Sequence, residues 1–132
     1  MKTILLLIVL LSLESTSWSE IIYSQKIIVM NVERELAIQR TTLDSTPKWS
    51  RDQDNPPLSL KKALATAMEY IQKEHGKKNW VADSIKLKSF GGDGYWFYIV
   101  RFQEFPINSS KDGLFPVVDV VVLMSGEILA PR

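Results

Sequence analysis

The chain has 132 residues, with 16 Lys and Arg against 15 Asp and Glu, a single His and no Cys. That length suits one domain with a real core, and 45% apolar with 23% charged residues is ordinary globular composition. A net charge of +1 gives no whole-chain reason to expect nucleic acid, and the lack of Cys excludes disulfides, thiol catalysis and thiolate zinc sites.

Met1-Lys2 is followed by an unbroken apolar run from Ile4 to Leu11, then by the small residues Ser15, Thr16, Ser17 and Ser19. A positive start, an apolar stretch of roughly ten residues and a small-residue site are the ordered parts of a secretion signal, too short to span a bilayer. Cleavage near Ser19, or after Ser17, is expected, which places the mature chain outside the cell or in the periplasm or envelope. A buried N-terminal strand or an uncleaved anchor is the alternative.

In the next segment Ile28, Met30, Val32, Leu36 and Ile38 alternate like a strand, whereas Glu33 to Ala37 favour helix and Asn31 is a suitable cap. The expectation is a strand through about Val32 and then a short helical or extended piece. From Thr41 to Pro57 the chain is polar, with Pro47, Pro56, Pro57 and the run Asp52-Gln53-Asp54-Asn55, and reads as a loop carrying Trp49.

The clearest element is a helix from Leu60 to about His75. Ser59 is a natural N-cap, Leu60, Ala63, Leu64, Ala67 and Ile71 form one apolar stripe, and Gly76 ends it. The period then changes from 3.6 to 2. Ile85 and Leu87 alternate with Lys86 and Lys88, Gly91 to Gly94 reads as a turn, and Tyr95 to Phe105 is a strand with Trp96, Tyr98, Val100 and Phe102 on one face. A loop from Pro106 to about Leu114 leads to a valine-rich strand, Phe115 to Met124, and a two-residue turn at Ser125-Gly126 returns Glu127 to Ala130 as a last strand. The predicted fold is α+β, one long helix packed on an antiparallel meander sheet of three to five strands. The predicted organisation is a signal over 1–19, an N-terminal strand and Pro-rich loop over 20–57, and a core over 58–132 in the same domain.

The run Leu58-Ser59-Leu60-Lys61-Lys62-Ala63-Leu64-Ala65-Thr66-Ala67 resembles the helix opening of PepSY-type domains. Val120 to Leu129, a valine strand meeting a Gly126-Glu127 turn, resembles their closing hairpin, and Tyr95 to Phe102 their middle strand. The resemblance covers roughly 58–130 and departs at Leu123-Met124, where the family usually has an Asp before the turn. It implies a small secreted domain of cystatin-like layout with a non-catalytic binding or peptidase-regulating role, the partner being a protein or peptide such as a secreted peptidase. The cystatin hairpin Q-x-V-x-G and Pro-Trp pair are absent, which argues against cysteine-protease inhibition in the cystatin manner.

Candidate chemistry is sparse. His75, in the last helical turn, suits the carbonyl end of the helix dipole better than catalysis. Asp52 to Asn55 offers oxygens for Ca²⁺ but lacks the Gly and distant Glu of an EF-hand loop, so no metal or other cofactor is expected. Among Glu104, Asp112, Asp119 and Glu127, only Asp119 sits in a run of valines, and on an edge strand it would simply face water. No nucleophile, phosphate-loop or dinucleotide motif appears, so an enzyme is not expected. Lys61, Lys62, Lys73, Lys77, Lys78, Lys86 and Lys88 face only Glu69, Glu74 and Asp83 over the same stretch, a basic surplus for an anionic envelope surface or, more plainly, solvated faces. Trp49, Trp80, Trp96 and Tyr98 could stack a ligand, but such aromatics more often cement helix to sheet. Asn108-Ser109-Ser110 matches an N-glycosylation sequon, relevant only in a eukaryotic host. The expected function is a non-catalytic secreted or envelope module binding a peptide or protein, with an exposed edge strand as its contact. An electrostatic envelope binder and a small-ligand cup are the alternatives.

Overall fold

Two left-handed residues shape the start of the fold. β1 (Ile21–Val29) reverses at Met30 and Asn31, whose φ values are 50° and 66°, and pairs antiparallel with β2 (Val32–Gln39) from Val29↔Val32 to Ile21↔Gln39. Two positive φ values at the centre of a two-residue hairpin match the right-handed twist of the strands they join. The computed structural model describes residues 20–90, 94–104 and 115–131. Residues 1–19, expected to form a signal, residues 91–93 of the expected glycine turn, and the expected loop over 106–114 with Asn108 and Asp112 lie outside the described residues.

After β2 comes a single helical turn, α1 (Arg40–Asp44), which buries Leu43. Residues 45–59 then form a strap fastened to the sheet: Trp49 N–H donates to the Gly94 carbonyl at 2.8 Å, and Trp96 Nε1 donates to the Trp49 carbonyl at 2.9 Å. The Tyr98 hydroxyl donates to the Leu58 carbonyl at 2.7 Å. Helix α2 (Leu60–His75) begins there. The Ser59 hydroxyl accepts from Lys62 N–H at 3.1 Å, satisfying one of the orphan amides of the first turn. Gly76 ends the helix at φ 89°.

β3 (Trp80–Phe90), β4 (Tyr95–Glu104) and β5 (Val117–Leu123) follow as antiparallel neighbours, and β6 (Ile128–Leu129) pairs back onto β5. The β5–β6 connection is a three-residue turn, Met124 to Gly126, rather than the two-residue turn expected. Leu123 N–H donates to the Glu127 carbonyl, and Gly126 supplies a φ of 87° that a side chain would strain.

The sheet order is β2-β1-β5-β4-β3. This overturns the predicted architecture of one long helix on a meander of three to five strands. The body of the molecule is antiparallel sheet, six strands among the described residues, with two helices of which one is a single turn. The α+β class stands; the proportions and the topology do not. The difference lies in residues 21–40, where Glu33, Arg34 and Glu35 favour helix locally while the flanking apolar residues alternate. The Met30-Asn31 turn pairs these residues as a strand, and their side chains point to water. α2 fully buries only Ala63, Ala67 and Ile71, with Leu64, Met68 and Tyr70 half-buried against the same core, while Leu60, expected on that stripe, is 54% exposed.

Each face of the sheet has its own core. On the α2 side, Ala63, Ala67 and Ile71 meet Trp80, Tyr98, Val100, Phe102, Val118, Val120 and Val122. On the other side, Phe90, Phe97, Ile99, Val121 and Leu123 are covered by Ile27, Leu36, Ile38 and Leu43. The β1–β5 ladder holds one register pair, Val29↔Val118, and the hairpin then folds back across the second face. The Tyr23 ring consequently stands edge-on to Phe90 of β3 at 4.7 Å, although β1 and β3 are three places apart in the strand order. Each fully buried large side chain here contributes about 1.5–3 kcal/mol, so the hairpin lid matters as much as α2.

Candidate functional site

β3 lies at one end of the strand order, and among the described residues no strand pairs with its outer side. Its register with β4 slips between Ala82 and Ser84, leaving Asp83 as a bulge, and from Ser84 to Phe90 it runs regularly against Arg101 to Tyr95. Strand alternation sends Ile85 and Leu87 to the α2 side and Lys86, Lys88 and Phe90 to the hairpin side. Beside Ile85 and Leu87 opens an apolar groove of about 350 Å³, closed by Pro56, Leu60 and Tyr98 with Asn55 and Ser59 at its rim. The strap and the first turn of α2 build its far wall, which is why Leu60 stays exposed. The expected edge-strand contact therefore has a groove beside it that no linear pattern revealed. Pro56 and Leu60 are far from Leu87 in sequence and meet it only through the strap.

The seven lysines singled out by sequence do not converge. Lys61, Lys62 and Lys73 lie on the exposed side of α2, and Lys77 follows its end with Lys78, which pairs with Glu104 at 3.8 Å. Lys86 and Lys88 belong to the opposite face of the sheet, where Lys88 Nζ donates to Gln25 Oε1 at 3.2 Å. Apart from Lys78, none of the seven makes an ion pair among the described residues.

Asp119 departs from expectation. β5 is an interior strand, flanked by β4 on one side and by β1 and β6 on the other, so Asp119 is buried and does not face water. Its carboxylate accepts from Arg101 Nε at 2.8 Å and Nη2 at 3.1 Å, and from the Ile28 backbone N–H at 2.9 Å. Hydrogen bonding to Asp119 raises the Arg101 pKa, against the lowering effect of burial, so the guanidinium is firmly charged. Three donors on one carboxylate form a structural clasp between β1, β4 and β5 rather than an acid poised to react. Glu104 is committed to Lys78, and Glu127 is exposed in the last turn.

The remaining candidates are accounted for by packing. The His75 ring is edge-on to Trp80 at 6.4 Å, and Trp80 Nε1 donates to the Gly76 carbonyl at 3.0 Å, closing the C-terminus of α2. Asp52 to Asn55 is exposed, with Gln53 Oε1 accepting from Ser50 N–H, and among the described residues no three His, Asp or Glu side chains converge to hold a metal. Trp80 and Tyr98 belong to the core and Trp96 packs against it, so the sheet face needed by a small-ligand cup is filled. Trp49 stands edge-on to Trp96 at 5.2 Å, with the Arg51 guanidinium 5.2 Å from the Trp96 ring. Burial raises the Tyr98 pKa, and burial followed by the charge of Glu74 raises that of Tyr70. No helix among the described residues is long and apolar enough to cross a membrane. Comparison of the chain with protein-family models, with curated proteins and with solved structures finds no match in any of the three.

Proposed function

We propose that the protein is a non-catalytic binding module, secreted or held in the cell envelope, that takes an extended peptide or protein segment along the outer side of β3. The observation that carries this reading is the unpaired outer side of β3 with the apolar groove beside it. Backbone groups along a free edge supply affinity to any extended chain, and a flanking pocket for alternate side chains supplies selectivity. The charged and apolar order of residues 1–19 favours export, and the PepSY-like features of residues 58–130 favour a peptidase-regulating rather than a catalytic role.

Amide hydrogen exchange on the purified protein, with and without a pool of extended peptides, tests this directly. Added strands should slow exchange at alternate amides between Ser84 and Phe90 and leave α2 unchanged. Protection confined to Lys61, Lys62 and Lys73, and abolished by salt, would instead identify the electrostatic reading.

A further inference from the structure

We propose that the segment accepted by β3 is one in which large apolar and acidic residues alternate. This rests on the strand-addition reading and adds the chemistry of its ligand. An incoming strand places successive side chains on opposite faces, and those facing a given β3 residue lie about 4.5–5.5 Å from it. On the α2 side its residues meet Ile85 and Leu87 and enter the groove bounded by Pro56, Leu60 and Tyr98, with Leu60 and Leu87 exposed and without cover. On the other side they meet Lys86 and Lys88, neither of which has a carboxylate partner among the described residues. Lys88 gives one hydrogen bond to Gln25, leaving two of its three ammonium donors for a ligand.

The same alternation disfavours a second copy of this chain as the occupant. β3 paired with β3 across a two-fold axis would set Lys86 and Lys88 against each other on one face, a like-charge arrangement that destabilises cross-strand pairs. A segment with carboxylates at those positions removes the repulsion and keeps the apolar fit. The edge lysines therefore disfavour self-pairing and favour an acidic partner by one mechanism.

The test uses three blocked, fluorescently labelled peptides of roughly seven residues, the length of the regular run of β3, each checked to be monomeric. They alternate Leu with Glu, Leu with Lys, and Ser with Glu. Anisotropy should give about tenfold or tighter binding of the Leu/Glu peptide over each of the others, the charge-dependent part shrinking with salt. Hydrogen exchange should locate the bound peptide at residues 84–90. In the K86E/K88E protein, with folding verified by circular dichroism, the preference should invert toward Leu/Lys, and in Leu87→Ser both Leu peptides should weaken. Equal binding of Leu/Glu and Leu/Lys, with β3 still protected, would overturn the alternation while leaving strand addition intact. Absence of protection at β3 with all three peptides would overturn both. Leu/Glu binding unaltered by K86E/K88E would place its recognition elsewhere and overturn the proposal.

Discussion

The Asp119 side chain joins three strands of the sheet. It ties the Ile28 amide of β1 to Arg101 of β4 from its own place on β5, with its side chain 4% exposed. Removing it leaves a partly buried guanidinium and a backbone donor without partners, which costs more than the net worth of the bonds themselves. Asp119→Ala is expected to lower stability by about 2–4 kcal/mol in urea unfolding, and the paired replacement Arg101→Met with Asp119→Leu to recover much of that loss. A loss below about 0.5 kcal/mol would show that the clasp is dispensable. Met30 works the other way. An unbranched side chain at φ 50° is held there by the hairpin, whereas Asn tolerates the left-handed region, so Met30→Asn should gain roughly 0.5–1 kcal/mol. Its neighbour Asn31 already uses that freedom, and its Oδ1 accepts from Val117 N–H at 2.9 Å, docking the turn on β5.

At the scale of elements, α2 is the part whose sequence and structure agree most closely, because its determinants are local. The Ser59 cap, the small residues Ala63 and Ala67 and the terminating Gly76 lie within one stretch of chain. Ser59→Ala should cost about 1 kcal/mol by orphaning the Lys62 amide. Ala67→Leu should cost about 1–3 kcal/mol, since Ala67 is fully buried where α2 meets the sheet and a larger side chain has no space there. β3 behaves differently. Its alternation was visible from Ile85 to Lys88, but the strand extends from Trp80 through a bulge at Asp83, and that irregularity breaks the period on which pattern reading depends. The hairpin of β1 and β2 was the least legible element. Glu33, Arg34 and Glu35 are good helix formers that happen to lie on an exposed strand, where packing of Leu36 and Ile38 beneath decides the outcome.

For the whole molecule, stability should respond to alkali through two phenols. Tyr98 joins β4 to the strap ahead of α2, and Tyr70 lies on α2; burial is the main cause raising the pKa of each above its usual value near 10. A tyrosine with a raised folded pKa keeps its proton in the native state after the unfolded chain has lost it. The native state then binds more protons, and stability falls as pH rises above about 10. Denaturant midpoints measured between about pH 8 and 11 should show this decline, and the Tyr70→Phe/Tyr98→Phe double variant should flatten it. An unchanged slope in that variant would assign the alkaline loss to other groups.

The sequence alone determined α2 with its cap and stop, the division of β4 side chains between two faces, and the valine strand β5. Each follows from periodicity and termini read within a few neighbouring residues. Only the tertiary structure decided that the β1–β2 hairpin folds back over the second face of the sheet, that β5 is thereby an interior strand with Asp119 buried, and that Pro56, Leu60 and Leu87 line one groove beside a free edge. Those outcomes depend on which strand docks beside which, a choice made by contacts between residues as distant as Ile28 and Asp119. Local pattern constrains a strand's faces but not its neighbours, so the candidate binding edge became visible only once the sheet order was known.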